Sequence, residues 1–371
     1  MDVTATTSTL ASAAAEVARL LPGRVLDPVL AGLVLRADDD GVVLAGSDRE
    51  HSVRLARQAI VHSSGAVLVP AKPFAETLRA LDAPEVRLVV EGSRLAIRTP
   101  GARFALPLLD VDSHPGVSLP PALAGHVRAD ALVAATAPVA GAASRDDALP
   151  IFTGIRLRAE GDRLMMLATD RYRMAVASVP WQAAPGGEPL DVLAPASVLA
   201  EVAKQAARAG LVALHADADR IGLSWGDDSV SSALLASPFP DERVRKLLDT
   251  NTDCAVDVDA DSLAGAVRRA ATYAGAHGTV TVQVDDGELR VRGSDPQAGE
   301  SDEAVKATVN GDRATKTFQV RYLADALRAF AGREVRLLMQ EGLRSTVLTA
   351  EPGDDGVELT YLVVPMRPPT R

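Results

Sequence analysis

The chain has 371 residues, of which 47% are hydrophobic and 24% are charged, and a formal net charge of −10. This composition predicts a globular protein of two or three domains, and its acidic balance excludes a protein that grips phosphate backbones tightly. One cysteine excludes intrachain disulfides and cysteine-based metal clusters, and 3% aromatic residues disfavour a stacking platform for single strands.

The first predicted element is a helix over Leu10–Leu21, capped by Ser8 or Thr9. The residues before it lack the basic segment of a secretory signal. The longest apolar run, Ala131–Ala143, is shorter than the roughly 20 residues that span a bilayer. We therefore expect a cytoplasmic protein with no membrane partner.

A hairpin follows, in which Gly32–Arg36 and Val42–Gly46 flank an acidic turn that ends in glycine. A Gly-Ser-Asp motif ends at Asp48, and an extended entry then leads into an amphipathic helix within Val69–Leu81. The next predicted strands are Val86–Val90, Arg94–Arg98 and Arg103–Leu106.

The same order of elements recurs twice. The later helices are predicted within Asp130–Ala143, Leu193–Gln205, Asp261–Tyr273 (capped by Asp261) and Phe318–Phe330. The later strands are predicted at Ile155–Arg158, Leu164–Thr169, Val212–His215, Ile221–Trp225, Ser229–Leu235, Ala255–Val258, Val280–Val284, Leu289–Arg292, Val335–Met339, Thr346–Ala350 and Val357–Val364. The third copy also carries an acidic segment, Asp295–Glu303, that we expect to be a loop.

Two markers repeat with one period. The equivalent helix residues are Phe74, Leu199 and Leu323, separated by 125 and 124 residues, and the equivalent aspartates are Asp48, Asp170 and Asp295, separated by 122 and 125. A period this long exceeds that of solenoid repeats, so each copy can bury its own core. We predict an α+β protein of three tandem domains, 1–125, 126–250 and 251–371, each with two helices on antiparallel sheet.

No motif points to catalysis. The sequence has no GxxxxGK[ST] phosphate loop, no HExxH and no GxSxG, and its six histidines are scattered. The acidic clusters Asp38–Asp40 and Asp146–Asp147 are better interpreted as turn residues than as paired catalytic carboxylates. We expect no enzyme, no cofactor and no metal site.

Three phrases occur in one order together with this repeat: ATDRYRMA at Ala168–Ala175, Phe-Pro-Asp at residues 239–241, and YLVVPMR at Tyr361–Arg367. Over essentially its whole length the chain therefore resembles the bacterial DNA polymerase III beta subunits, the DNA sliding clamps. The resemblance implies a head-to-tail homodimer forming a six-domain ring that encircles duplex DNA. The acidic net charge is compatible with a ring, because topology rather than phosphate affinity would hold it.

The resemblance also implies partners: the DNA polymerase III alpha subunit, a clamp loader and other proteins with short clamp-binding motifs. These would bind a pocket between the second and third domains, with Gln319 and Tyr322 before a helix and Leu343 and Ser345 in a strand. The implied pocket residues are Phe152, Thr169, Arg171, Tyr172, Arg173, Met174, Pro240, Val244, Gln319, Tyr322, Leu343, Ser345, Leu362, Val364, Pro365, Met366 and Arg367. Periodicity by itself favours a plain core role for the apolar members.

Two further sets of residues follow from the resemblance. The intersubunit contact would join Arg94, Arg103, Phe104 and Leu106 on a first-domain edge strand to Thr272, Tyr273, Glu300, Asp302 and Glu303. DNA contacts would come from Arg24, Lys72, Arg268 and Arg269. The alternative for both sets is an ordinary solvated surface.

The sequence departs from the family pattern in three places. Arg171 stands where a small residue is common, the segment after Phe239 is rich in charge, and Pro368–Arg371 extends the chain beyond the PMR phrase. These departures leave open a divergent paralogue that serves as a scaffold or decoy, or a clamp with altered pocket selectivity that resists inhibitors.

Overall fold

The computed structural model describes residues 1–21, 27–187, 189–239, 247 and 252–367. The chain forms two compact units. The first comprises Met1–Ala129, Ala184–Glu188 and Lys204–Leu234, and the second comprises Asp130–Ala183, Pro189–Ala203 and Leu235–Arg371. Within the described ranges, no helix has both the length and the apolar character that crossing a membrane would require.

The first third of the chain contains two α-helices, α1 (Thr7–Leu20) and α2 (Ala71–Arg79), and a 3-10 turn at Pro28–Ala31. Its strands are β1 (Asp2–Thr6), β2 (Gly32–Asp38), β3 (Gly41–Ser47), β4 (His51–Arg57), β5 (Ile60–Ser63), β6 (Gly65–Pro70), β7 (Glu85–Glu91), β8 (Arg94–Thr99) and β9 (Ala102–Pro107).

The middle third contains α3 (Ala129–Ala142) and α4 (Ala196–Gln205), with 3-10 turns at Pro150–Phe152 and Ala206–Arg208. Its strands are β10 (Leu123–Arg128), β11 (Gly154–Glu160), β12 (Arg163–Thr169), β13 (Arg173–Pro180), β14 (Gln182–Ala183), β15 (Asp191–Pro195), β16 (Leu211–Ala216), β17 (Arg220–Trp225) and β18 (Asp228–Ala233).

The last third contains α5 (Ala260–Ala270), which continues into a 3-10 turn at Ala271–Tyr273, and α6 (Val320–Arg328). Its strands are β19 (Cys254–Asp259), β20 (Thr279–Asp285), β21 (Glu288–Asp295), β22 (Gly299–Lys306), β23 (Thr308–Gly311), β24 (Thr315–Gln319), β25 (Glu334–Met339), β26 (Thr346–Thr349) and β27 (Glu358–Val363).

Each of these six helices begins at the residue that follows a strand. The repeated helix positions Phe74, Leu199 and Leu323 are all buried, because the apolar stripe of each helix faces its sheet. In the first unit α1 packs against α2, β3 and β4, and in the second α5 packs against α6, β21 and β22. The predicted α+β class and the three-fold repeat are confirmed.

The strands pair antiparallel throughout the described sheets. In the first unit one sheet has the order β5-β1-β7-β8-β9, and a second contains β10-β16-β17-β18-β4-β3-β2-β6. In the second unit one sheet has the order β15-β11-β12-β13-β27-β26-β25-β19-β23 and another has the order β22-β21-β20-β24. Strands of neighbouring repeats thus pair within single sheets, β18 with β4 and β27 with β13.

Two predicted helix starts are wrong. The first helix begins at Thr7 rather than Leu10, and its N-cap, Thr6, makes no side-chain capping hydrogen bond. In α5 the cap is Asp259, whose carboxylate accepts a hydrogen bond of 2.7 Å from the Ser262 amide, whereas Asp261 accepts from the Gly332 amide. The strands that precede these helices fix where the turns begin, and such tertiary contacts override local capping preference.

The predicted acidic loop over Asp295–Glu303 is also wrong, because its second half belongs to strand β22. Charge and glycine made the segment resemble a loop. In the structure Asp302 lies across from two arginines of β21 and contacts Arg290 at 3.0 Å and Arg292 at 2.9 Å. Cross-strand pairs of opposite charge stabilise a strand that its own sequence does not favour.

Candidate functional site

The aspartate marker of the second repeat builds a tight turn between β12 and β13. The Asp170 carboxylate accepts hydrogen bonds of 3.0 Å from the amides of Tyr172 and Arg173. Thr169 donates through Oγ1 to the Arg173 carbonyl at 2.7 Å. Asp48 serves an equivalent turn in the first repeat, where it accepts from the amides two and three residues ahead. The marker thus fixes the backbone that presents residues 171–173.

Arg171 occupies the left-handed region of this turn, with φ of 79°. That conformation is costly for a residue with a Cβ and is commonly found where function requires it. Its guanidinium carbon lies 5.8 Å from the ring centroid of Phe152 and 5.9 Å from that of Tyr172. Arg171 makes no ion pair with any described residue, so its charge is presented beside two aromatic rings.

Two tyrosines stack next to this arginine. Tyr172, 52% exposed, lies with its ring centroid 5.8 Å from that of Tyr322, and the two planes are 11° apart. Arg321 donates to the Tyr322 hydroxyl at 2.7 Å, and its guanidinium carbon is 4.5 Å from the ring centroid. Aromatic and arginine side chains of this kind are typical anchors of peptide recognition.

Arg173 holds the turn against α6. Its guanidinium contacts Asp170 at 3.0 Å and Asp325 at 2.6 Å. The Tyr361 phenol lies nearby, and burial raises its pKa to about 12. Arg173 is therefore committed to positioning its neighbours and is not available as a free cation.

Successive side chains along a strand point to opposite faces, so Met174 points away from the face that carries Arg173. Met174 belongs to an apolar cluster. Met174, Leu362 and Val364, all expected in the pocket, lie together there. The cluster also contains residues that sequence reasoning missed: Leu167, Val176, Phe239, Leu338 and Val347. Period-2 alternation along β12, β13 and β26 was the signal that could have found most of them.

Three of the remaining expected pocket residues lie in other elements than predicted. Leu343 and Ser345 lie in the loop between β25 and β26, so their predicted strand is wrong: the ladder begins only at Thr346, after a turn at Gly342 with φ of 69°. Tyr322 lies inside α6, not before it, because that helix begins at Val320.

Gln319 is the N-cap residue of α6, and its side-chain amide lies against the carbonyls of His277 and Gly278. Pro365 is buried, whereas Met366 and Arg367 are exposed. The Val364 amide donates to the Tyr172 carbonyl at 2.9 Å and the Met366 amide to Thr317 at 2.7 Å. These hydrogen bonds hold the YLVVPMR segment next to the tyrosine pair. Pro240, Val244 and the Pro368–Arg371 extension lie outside the described residues.

A cleft of about 540 Å³ opens beside the tyrosine pair. It is lined by the connection after α3, with Arg145, and by the first turn of α6. Arg171 and Tyr172 also line it. An apolar cluster on one side and an arginine-rich cleft on the other suit a peptide with apolar anchors and polar flanks.

The expected intersubunit residues lie on two sheet edges. Arg103, Phe104 and Leu106 belong to β9, the last strand of its sheet, whereas Arg94 lies on β8, one strand inward. Phe104 is 42% exposed. On the other side Glu300, Asp302 and Glu303 belong to β22, also a last strand, with Thr272 and Tyr273 in the 3-10 turn after α5.

The expected DNA contacts differ in availability. Lys72 is exposed on α2, within 3.9 Å of Glu76, and Arg268 is exposed on α5. Arg269 is held by a two-point contact with Glu303 at 2.5 and 2.9 Å. Arg24 lies outside the described residues.

Comparison with known proteins identifies three consecutive matches. Residues 1–119, 126–241 and 245–367 match the N-terminal, central and C-terminal domains of the DNA polymerase III beta subunit family. The beta sliding clamp of Streptomyces coelicolor is 30% identical over 96% of this chain and 97% of its own length. The beta sliding clamp homolog GriR of Streptomyces muensis is 29% identical over 95% of each chain.

Among solved structures, the sliding clamp of Pseudomonas aeruginosa bound to griselimycin has a TM-score of 0.88, with 24% identity, and covers 99% of both chains. This likeness concerns the fold. The sequence matches together cover nearly the whole chain. The chain belongs to the DNA polymerase III beta subunit family, the beta sliding clamps.

Proposed function

We propose that two copies of this chain join head to tail into a ring of six like domains, with domain bounds near residues 125 and 250, that encircles duplex DNA. The ring tethers DNA polymerase III through its alpha subunit, and other replication and repair proteins, and depends on a separate clamp loader. It is a cytoplasmic processivity factor and not an enzyme. The family membership of all three domains supports this function.

The observation that carries the proposal is a repeated edge contact. The last strand of the second repeat, β18, pairs with β4 of the first, and the last strand of the third, β27, pairs with β13 of the second. The equivalent edges that remain are β9 and β22, each at the end of its sheet. A head-to-tail contact between them in two copies closes a ring, because the same contact then recurs six times.

The register of that contact follows from the existing ones. Ser231 pairs with Ser52, and Leu362 pairs with Met174. Counted along the ladders, Arg103 occupies the place of Ser229 on its strand, and Asp302 occupies the place of Arg54. Because Ser229 pairs with Arg54, Arg103 of one copy faces Asp302 of the other. The two side chains have opposite charge, which favours this register over a shifted one.

We also propose that the arginine–aromatic cleft and the apolar cluster form the partner-binding pocket. The stacked tyrosines, the half-exposed Leu343 and Met366, and the buried base around Met174 support this. Apolar peptide side chains would enter the cluster, where the flexible Met174 side chain adapts to varied shapes.

For DNA, we propose that Lys72 and Arg268, both exposed, are weak phosphate contacts, with Arg24 as a third. Arg269 contributes less, since Glu303 neutralises it. Weak contacts suit sliding, because each released phosphate contact costs little.

A second candidate is a clamp with altered pocket selectivity. Arg171 favours it, because this side chain covers Phe152 from a backbone conformation that glycine would adopt more easily. A small residue there would leave the Phe152 ring open to ligands. The difference concerns which peptides or inhibitors bind, not whether the ring closes.

Retention on DNA tests the function. The chain, loaded by a clamp loader with ATP onto nicked circular DNA, is expected to stay bound through gel filtration in high salt. Cutting the circle once should release it within minutes, because encirclement and not phosphate affinity holds it. Loss at the same rate from both forms would contradict encirclement. A monomeric mass at micromolar concentration would contradict the ring itself.

A further inference from the structure

One charged side chain is buried within the part of the chain that the structure describes. Lys316, in β24, is 3% exposed, and the other buried polar residues are uncharged. A buried ammonium must use its hydrogen-bonding capacity within the protein. The hydrogen-bond acceptors of Lys316 therefore indicate which part of the structure it stabilises.

All three partners of Lys316 are main-chain carbonyls of one loop. Nζ donates to the carbonyls of Gln340 and Gly342 at 2.5 Å each and to that of Arg344 at 3.3 Å. An ammonium has three N–H groups, so its donors are fully used. The Asp253 carboxylate accepts from the Glu341 amide of the same loop at 2.7 Å. The Lys316 ammonium thus binds residues 340, 342 and 344 of the loop, and the Asp253 carboxylate binds residue 341.

This loop borders the apolar cluster. It joins β25 to β26, whose last pair before the loop, Leu338 with Val347, contributes to the cluster. Leu343 stands in the loop and is 49% exposed. Leu343 stands between Gly342 and Arg344, whose carbonyls Lys316 binds, so the position of its side chain depends on the loop conformation that Lys316 holds.

Strand β24, which carries Lys316, also connects to the other parts of the proposed pocket. The next residue, Thr317, accepts a backbone hydrogen bond from Met366 at 2.7 Å. Two residues later β24 ends, and α6 begins with Tyr322 in its first turn. One short strand thus connects the Leu343 loop, the Met366 segment and the tyrosine pair.

We propose that Lys316 is a positioning residue of the partner-peptide pocket, whose ammonium gathers three loop carbonyls and thereby holds Leu343 where it completes the apolar side. This rests on the proposed peptide-binding function. Lys316 itself touches no ligand. Without the ammonium the three carbonyls lose their donors, and the loop opens to water to satisfy them.

The test uses the full-length dimer and a fluorescein-labelled peptide with Leu and Phe anchors, followed by anisotropy. Lys316→Met should weaken binding about tenfold, the loss typical of a buried hydrogen-bonding group left unpaired. Lys204→Met, a matched change at an exposed lysine of α4, should leave affinity unchanged. Lys316→Gln keeps two donors and should fall between, which preserves the test if the methionine variant does not fold.

A double-mutant cycle with Leu343→Ala separates positioning from general stability. If Lys316 acts through Leu343, adding Lys316→Met to Leu343→Ala should cost little more. Hydrogen exchange should show faster exchange at residues 342–345 of Lys316→Met and unchanged exchange in α6. Wild-type affinity in Lys316→Met, or equal losses with and without Leu343, would overturn the proposal. If the wild-type protein does not bind the peptide, the proposal of a peptide pocket is wrong. The hydrogen-exchange comparison then still shows whether Lys316 holds the loop.

Discussion

At the scale of single residues, the repeated aspartates show how one side chain can specify a turn three times. Asp48, Asp170 and Asp295 each accept from amides two and three residues ahead. The residue after the aspartate has positive φ in the first two turns, Arg49 at 83° and Arg171 at 79°. Among the described residues, only the second turn places its arginine beside aromatic rings, so the same local structure contributes to the proposed pocket in one repeat alone.

The ion pair between His51 and Asp48 makes a pH-dependent contribution to stability. The hydrogen bond that His51 donates through Nδ1 to the Asp48 carboxylate, 3.0 Å away, raises the pKa of His51 above its ordinary 6.5, against the opposing effect of burial. The stabilisation is therefore fully present below pH 6.5 and is lost as the pH rises through the folded-state pKa. His51→Gln should lower stability by about 1 kcal/mol at pH 6 and by less at pH 8.5.

Thermal unfolding of wild type and variant across this range measures the effect. His277→Gln, at an exposed histidine, serves as the control and should show no such pH-dependent difference. A penalty for His51→Gln that stays constant from pH 6 to 8.5 would mean that the ion pair is not what the histidine contributes.

At the scale of elements, the first and third repeats depend on a close approach of the first helix to its sheet. The glycines of the marker motif, Gly46 and Gly293, lie where the helix ends meet β3 and β21. A Cβ on Gly293 would lie 2.3 Å from the Ala270 carbonyl oxygen, at the end of α5. At Gly46 the nearest atom would be the movable Leu21 Cδ1, at 2.7 Å.

Gly293→Ala should therefore cost about 1–3 kcal/mol, because backbone must move, and Gly46→Ala should cost less, because a side-chain end can rotate away. Calorimetric unfolding of the two variants beside wild type measures the difference. Equal destabilisation by the two substitutions would show that helix–sheet spacing is not limiting at Gly293.

At the scale of the whole molecule, the proposed assembly rests on one kind of contact used repeatedly. Edge strands pair where β18 meets β4 and β27 meets β13, and the free edges β9 and β22 carry an exposed Phe104 and alternating charges. Uncovered edge strands favour association with another chain, so a specific partner for these two edges is physically expected.

A charge exchange tests this assembly. Arg103→Glu or Asp302→Arg alone places like charges opposite each other in both seams and should raise the dimer dissociation constant about tenfold or more. The two changes combined in one chain should restore the dimer in part, because Asp302→Arg also removes the contacts that Asp302 makes with Arg290 and Arg292 of β21. Sedimentation at several concentrations measures this, with Arg313→Glu, at an exposed arginine outside the β9 and β22 edges, as the control. A double variant as weakly associated as the single ones would rule out this register.

Much of the fold could be predicted, because local patterns encode it. The apolar stripes around Phe74, Leu199 and Leu323 predicted the second helix of each repeat, and acidic turns between alternating runs predicted the hairpins. The sequence does not predict strand β1, because its short DVTAT sequence gives a weak periodic signal. The sequence of β22 predicts a loop, because its stabilising arginines lie on another strand.

The three-fold repeat, the α+β class and the family can be predicted from the amino-acid sequence, since each is carried by residues close together in the chain or by spacings along it. The folded chain is needed to show which strands form edges, that Leu167 and Val347 share a cluster with Met174, and that Lys316 supports the Leu343 loop. These features depend on contacts between residues far apart in sequence, whose distances no linear pattern records. Motifs in the sequence therefore predict some residues of the proposed pocket, whereas its remaining residues and its geometry depend on the folded chain.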